Sequence, residues 1–270
     1  MPSTAFVKQQ TGVPAAAFAA EAAGLRWLAD AGGVAVCPVL EVRPDALVLE
    51  RVREQRPDAR AAERFGRDLA RTHAAGAPRF GAPPPGVDGD TWIATLPLPM
   101  TGPVTGPVTG PVTGGDAGWG TFYAEQRAQP YLRLARDAGT FDAAEVAVVE
   151  RVCERLTAED PALVAGADGP ARLHGDLWSG NVLWSADGAV LIDPAAHGGH
   201  PETDLAMLEL FGLPHLARVL DAYGEAAGTP DGRRERVPLH QLHPLLVHAV
   251  LFGGAYAAPA LEAAQRASAL

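Results

Sequence analysis

Lysine and asparagine are almost missing from this chain of 270 residues: of 22 basic side chains one is lysine, Lys8, and the one asparagine is Asn181. Cysteine is scarce too. Cys37 and Cys153 are the 2 present; far apart, they offer neither a disulfide framework nor a CxxC metal site. A reduced, cytoplasmic setting is expected. Long hydrophobic runs are lacking. The longest, near Ala249 to Leu261, is too short and glycine-rich to span a bilayer, and the opening MPSTAFVKQQ lacks the profile of a signal peptide. No membrane partner is expected. Positive charge is in deficit, with 22 basic against 32 acidic side chains and a net charge of −10. That argues against a nucleic-acid partner, since duplex binding draws on clustered Lys and Arg. Composition is silent on oligomeric state.

What is present fits a folded enzyme. The chain is 47% hydrophobic and 20% charged, too apolar for disorder, and long enough for one large domain or two lobes. Residues 5–8 read as the end of a strand. Ala15 to Ala31 reads as a helix with Phe18, Ala22, Leu25 and Leu28 on one face. Val34 to Val42 and Ala46 to Val52 are two strand-like runs around an Arg-Pro-Asp turn. Ala59 to Ala75 is helical in pattern, with Phe65, Leu69 and Thr72 on one face, and Pro78 to Pro99 reads as a Pro/Gly-rich connection. Residues 101–115 are low complexity, built on repeated Thr-Gly-Pro-Val, and are expected to be a flexible insertion without a catalytic role. Helices are expected at Trp119 to Ala138, at Ala143 to Thr157 and from Pro201 onward. Val182 to Trp184 and Val190 to Ile192 flank Ser-Ala-Asp-Gly, a hairpin turn. Strands early and helices late mean α+β: a small strand-rich lobe over residues 1–52 and a larger helical lobe over residues 53–270.

The chemistry concentrates in His174-Gly-Asp176-Leu-Trp178-Ser-Gly-Asn181 and in Asp193, just after the hairpin. An Asp, an Asn five residues on, and a second Asp beyond a short hairpin match the spacing of a phosphoryl-transfer loop. Asp176 would accept the proton of the attacking hydroxyl, while Asn181 and Asp193 would hold magnesium, which needs few protein oxygens besides phosphate. Each residue alone reads better as a turn or helix cap than as a catalyst; the three together around a hairpin favour the catalytic reading. Such a site also needs a strand lysine on the nucleotide phosphates and a helical glutamate to hold it. Lys8 and Glu21 fit. Lysine is a compact point charge where arginine is a broad fork, which explains why an arginine-rich chain keeps one lysine here. Leu47 to Val52 would lead into the connection between lobes, with Glu50 and Val52 beside the adenine of ATP. A zinc-hydrolase alternative rests on His197-Gly-Gly-His200 with Asp193 and His174, but leaves Asp176 and Asn181 idle. Asp204 reads as an N-cap or loop anchor, and His240, His243 and His248 as core histidines.

These segments, with Glu202-Thr-Asp-Leu-Ala-Met207, Phe6-Val-Lys8, Trp119 to Arg127 and Leu251-Phe-Gly-Gly-Ala-Tyr256, resemble the fructosamine kinase (ketosamine-3-kinase) family, a branch of the aminoglycoside-phosphotransferase-like, protein-kinase-like fold. The resemblance implies ATP- and Mg2+-dependent phosphorylation of the sugar 3-hydroxyl of ketosamines, either free small molecules or adducts on glycated protein, followed by release of the amine. It implies Asp176 as base, Asn181 and Asp193 as metal ligands, Lys8 as the phosphate contact with Glu21 as its partner, and Trp178 and His174 on the substrate side. Two other functions stay open: a kinase of another hydroxyl substrate such as an aminoglycoside, and a silent pseudokinase that binds a partner. Seven residues precede Lys8, too few for the glycine-rich hairpin of the family, so the small lobe reads as partial and weak ATP binding is expected of the chain as given.

Overall fold

The structure, a computed structural model, describes residues 4–100, 118–228 and 230–270. The expected flexible insertion at 101–115 lies outside the described residues.

Strand β1 (Ala5–Lys8) leads into helix α1 (Ala15–Ala29). The helix buries Phe18, Ala22, Leu25 and Leu28, the face its periodicity sets. The run at 34–42 is not one strand. Pro38 has no N–H to give a ladder, and the chain divides there into β2 (Ala35–Val36) and β3 (Val39–Val42). β3 turns back as β4 (Leu47–Glu50), completing an antiparallel sheet in the order β1-β4-β3 with Lys8 opposite Leu47. Leu47 and Leu49 close over Phe18, Ala22 and Leu25 to form the core of the small lobe.

Helix α2 (Ala59–Ala74) opens on Asp58, whose side chain accepts the Ala61 N–H at 2.7 Å. Phe65 and Leu69 are buried as expected. The following connection contains a hairpin that composition did not show, β5 (Thr91–Ile93) and β6 (Leu96–Leu98). Tertiary bonds pin it: the Tyr131 hydroxyl donates to Pro97 O at 2.8 Å and Arg127 to Pro99 O at 2.6 Å. From Trp119 the chain runs as α3 (Trp119–Phe122), a π-helical turn (Tyr123–Ala128) and α4 (Gln129–Asp137). α5 (Ala143–Thr157) carries a capping box between Asp142 and Glu145, and α6 (Pro161–Val164) follows.

Strand β7 (Ala171–Leu173) precedes the motif. Next come the hairpin β8 (Val182–Ser185) and β9 (Gly188–Leu191), then β10 (His197–Gly199), which pairs antiparallel with β7. So the large lobe holds more sheet than the expected single hairpin. β2 also crosses from the small lobe to lie parallel on β9. α7 (Pro201–Phe211), α8 (Leu216–Ala227), α9 (Arg233–Phe252) and α10 (Ala257–Ser268) complete the helical body. By length and composition alone the 36 residues Arg233–Ser268 could cross a membrane, which corrects the expectation that no run was long enough. In the fold the stretch is broken by a 3-10 turn at Gly253–Tyr256, and buried faces of both helices join the largest apolar cluster.

Candidate active site

The end of β1, the first half of α1, the β5–β6 hairpin and the loop after β7 enclose a cavity of about 260 Å³. Lys8, Glu21, Trp92, Asp176, Trp178, Asn181 and Asp193 are in its wall.

Lys8 ends β1 with its ammonium 2.7 Å from Glu21 Oε2 and 3.1 Å from Asp193 Oδ1. Glu21 reaches it because it shares the α1 face of Phe18 and Leu25, at helical spacing. Burial alone would lower the lysine pKa; the facing carboxylates of Glu21 and Asp193 outweigh it and raise it, so the ammonium stays charged at neutral pH. Asp193 sits at φ +54°, a left-handed conformation that Asp tolerates better than most residues. The kink turns its side chain toward Lys8.

The catalytic-type loop folds on itself. The Asn181 side-chain amide donates to the Asp176 backbone O at 2.8 Å and to Asp176 Oδ2 at 3.0 Å. The Asn181 N–H donates to Trp178 O at 2.9 Å, and Ile192 N–H donates to Asn181 O at 3.1 Å. With its N–H groups spent in this way, Asn181 offers an amide oxygen, and Asp193 offers carboxylate oxygens. That all-oxygen donor set fits magnesium. Burial pushes the Asp176 carboxyl up to about 7; the Asn181 hydrogen bond pulls the other way, and Asp193 and Asp204 add to the rise. Gly175 is required by φ +81° and because a Cβ there would strike the Ala195 carbonyl. A side chain at Gly180 would strike the Trp178 indole, which lies over it.

Buried beneath the loop, Asp204 accepts the N–H groups of His174 at 2.8 Å and Gly175 at 2.9 Å, and its carboxylate bonds His73 Nε2 at 3.1 Å. Burial would raise its pKa, but His73 and the backbone donors bring it below the usual carboxylate value. His73 Nδ1 in turn bonds the Tyr223 hydroxyl at 2.9 Å. Asp204 is thus the loop anchor; the N-cap of α7 is His200, whose Nδ1 accepts the Glu202 N–H.

Two expectations need correction. His174 does not face substrate. It is fully buried; its Nε2–H donates to Ile192 O at 2.9 Å and its Nδ1 accepts the Asp176 N–H at 3.2 Å, so it positions the loop. Glu50 and Val52 do not line the cavity. Glu50 spends its N–H on Pro38 O at 2.9 Å and its carbonyl on the Cys37 thiol at 3.1 Å, and Val52 leans on the apolar cluster that includes Ile192. The hydrolase alternative finds no support at its histidines. His197 Nδ1 bonds Ala195 O, and His200 is committed on both nitrogens. His200, Glu202 and His240 do bring ligand-type atoms within 4.8 Å, but Arg236 grips both Glu202 oxygens, at 2.6 and 3.1 Å.

Sequence reasoning missed His73, Tyr223 and Trp92. The first two have no local signal, and Trp92 lies on the concealed hairpin.

The profile of the fructosamine kinase family matches residues 2–268. A probable ketoamine kinase of Escherichia coli (strain K12) is 34% identical over 254 residues, covering 92% of this chain and 80% of that protein. A solved structure from Thermobifida fusca, provisionally named a fructosamine-3-kinase, is 47% identical with a TM-score of 0.83, covering 98% of this chain and 86% of its own. A choline kinase of Streptococcus pneumoniae shares the fold alone, with a TM-score of 0.58 and 14% identity over 98% of this chain and 86% of its own.

Proposed function

Since the chain belongs to the fructosamine kinase family and is therefore a phosphotransferase, we propose that it transfers the γ-phosphoryl group of ATP to the 3-hydroxyl of a ketosamine. The observation that carries this reading is the meeting of Lys8, Glu21, Asp193, Asp176 and Asn181 at one cavity. The 3-hydroxyl oxygen bonds to the γ-phosphorus as the bond to the bridging oxygen of ADP breaks, and Asp176 takes the hydroxyl proton. A carboxyl whose pKa lies near 7 is suited to accept a proton at neutral pH. Lys8 is the phosphate contact, and Glu21 holds it on station. Asn181 and Asp193 are the magnesium ligands; the ion, when bound, offsets the negative charge on the phosphate oxygens. His174, Asp204 and His73 keep the Asp176 backbone fixed, and Trp178 borders the sugar. The 3-phosphate product is the species from which the amine would then be released.

The test is ATP-dependent phosphate incorporation into a synthetic fructosamine, with the site of attachment read by NMR. Asp176→Asn should lower kcat by on the order of 10²–10⁴-fold with nucleotide binding retained. Full turnover by that variant would remove Asp176 as the base.

A further inference from the structure

A line of aromatic rings leaves the cavity at Trp178 and runs outward across two helices. Trp178 meets Phe211, the last residue of α7, with centroids 6.1 Å apart; Phe211 meets His248 of α9 at 5.1 Å. His248 meets both Phe252 at 5.4 Å and Tyr256 at 4.9 Å. The ends of the line are open. Trp178 is 40% exposed and Phe252, at 64%, is the most exposed large apolar side chain among the described residues. Gly253 and Gly254 follow Phe252, and a Cβ on either would meet only open space among the described residues, so the turn beside the outer ring is uncrowded. The line carries no fixed charge. His248 is pinned through Nδ1 to Pro244 O at 2.7 Å, and burial holds its pKa below the usual imidazole value.

Large exposed apolar patches mark binding sites; here two exposed rings, Trp178 and Phe252, are joined through half-buried ones, and the line is continuous with the cavity wall at Trp178. In a ketosamine the amine nitrogen lies a few bonds from the 3-hydroxyl. With that hydroxyl at Asp176, the nitrogen and its substituent leave past Trp178, two residues on. The nitrogen is a protonated secondary amine, and aromatic faces attract such cations. Beyond it lie the rings of Phe211, His248, Phe252 and Tyr256.

We propose that Phe211, Phe252 and Tyr256, in line with Trp178, form the subsite for the amine-borne substituent, and that the enzyme prefers ketosamines whose amine carries an extended aliphatic or aromatic body over those of compact, anionic amines. This rests on the ketosamine reading above.

The experiment compares two fructosamines, one made from phenethylamine and one from glycine, by steady-state kinetics. The wild-type chain should favour the phenethylamine adduct in kcat/KM by roughly tenfold, the scale of an apolar pocket contact, through KM. Phe252→Ser should collapse that ratio toward one, and Phe252→Leu, which keeps apolar bulk, should restore most of it. Since Phe252 is exposed, the fold should tolerate both changes, checked by circular dichroism. Tyr256→Ser gives an independent second reading. An active wild type whose ratio is near one, or is unmoved by Phe252→Ser and Tyr256→Ser, overturns the subsite alone. A wild type inert toward both adducts removes the ketosamine reading and the subsite with it.

Discussion

Replacing Lys8 by arginine would keep the charge and lose the geometry. The ammonium touches Glu21 and Asp193 at once, at 2.7 and 3.1 Å, from a position where a wider planar fork cannot make the same pair of contacts. Lys8→Arg should raise KM for ATP on the order of tenfold, about 1.4 kcal/mol, while Arg51→Lys, a surface exchange, should leave it alone. Unchanged KM in Lys8→Arg would mean that charge alone is needed there. Asp176 sets a second expectation. With its carboxyl near 7 through burial, the base is protonated below that pH and free above it. kcat/KM for the ketosamine should therefore rise through an acid limb with a midpoint near 7, and a profile flat from pH 6 to 8 would contradict it. Lys8, Glu21, Asp176, Asn181 and Asp193 were legible because each signal is local: a loop spacing, a helical register, or the rarity of a residue type. His174 was placed on the wrong side because a sequence gives no side-chain direction. His73 was invisible because its partners lie 131 and 150 residues away.

At the level of elements, the long helices were legible from their apolar period, and four of the short strands were not. β5, β6, β7 and β10 have 3 residues each, too short to show alternation, and exist because a partner strand or a tertiary hydrogen bond holds them. The run at 34–42 reads as one strand because its β-rich composition carries through Pro38, and which sheet each half joins depends on β4 and on β9, far along the chain. Helix packing yields its own expectation. α2 and α8 approach closely at Gly66, where a Cβ would strike the Val219 carbonyl and come within 3.0 Å of Tyr223 N. Gly66→Ala gains about 1 kcal/mol of helix propensity. Overpacking costs about 1–3 kcal/mol, and here the obstacle is backbone, which has little room to yield. The variant should melt a few degrees lower, at about 2–4 °C per kcal/mol for a domain of this size. A higher Tm would show that the helices can move apart.

For the whole molecule, the buried imidazoles set the response to acid. Burial drives His197 and His200 down to about 3, and His174, His240 and His243 are lowered in the same way. A lowered folded-state value means the unfolded chain takes up these protons first. The stabilisation is complete above 6.5 and drains away as pH falls toward 3. Between pH 7 and 5, His197 and His200 together lose on the order of 4 kcal/mol. Asp176 and Glu21, whose carboxyls burial raises, work in the opposite sense and gain stability as they are protonated, but these two carboxyls face six lowered imidazoles, His248 included. Glu202 adds to the loss below pH 4.5. Burial would raise its pKa, but hydrogen bonds from His240 and Arg236 bring it down to about 2. Thermal unfolding should show Tm falling from pH 7 to pH 5, and a maximum at pH 5 would contradict this account.

Ala35 and Val36 of β2 lie in register with Val190 and Leu191 of β9, and the Cys37 N–H extends the seam by donating to Leu191 O at 2.9 Å. β9 runs directly into Ile192 and Asp193. The halves of the molecule are therefore stitched at the root of the very strand that presents a metal-type ligand, and they cannot gape like a clam without tearing that stitch. Any breathing needed to admit or release a nucleotide must pivot about this suture and be absorbed farther out, toward the β3–β4 turn, with the Lys8–Asp193 contact at 3.1 Å parting as it does.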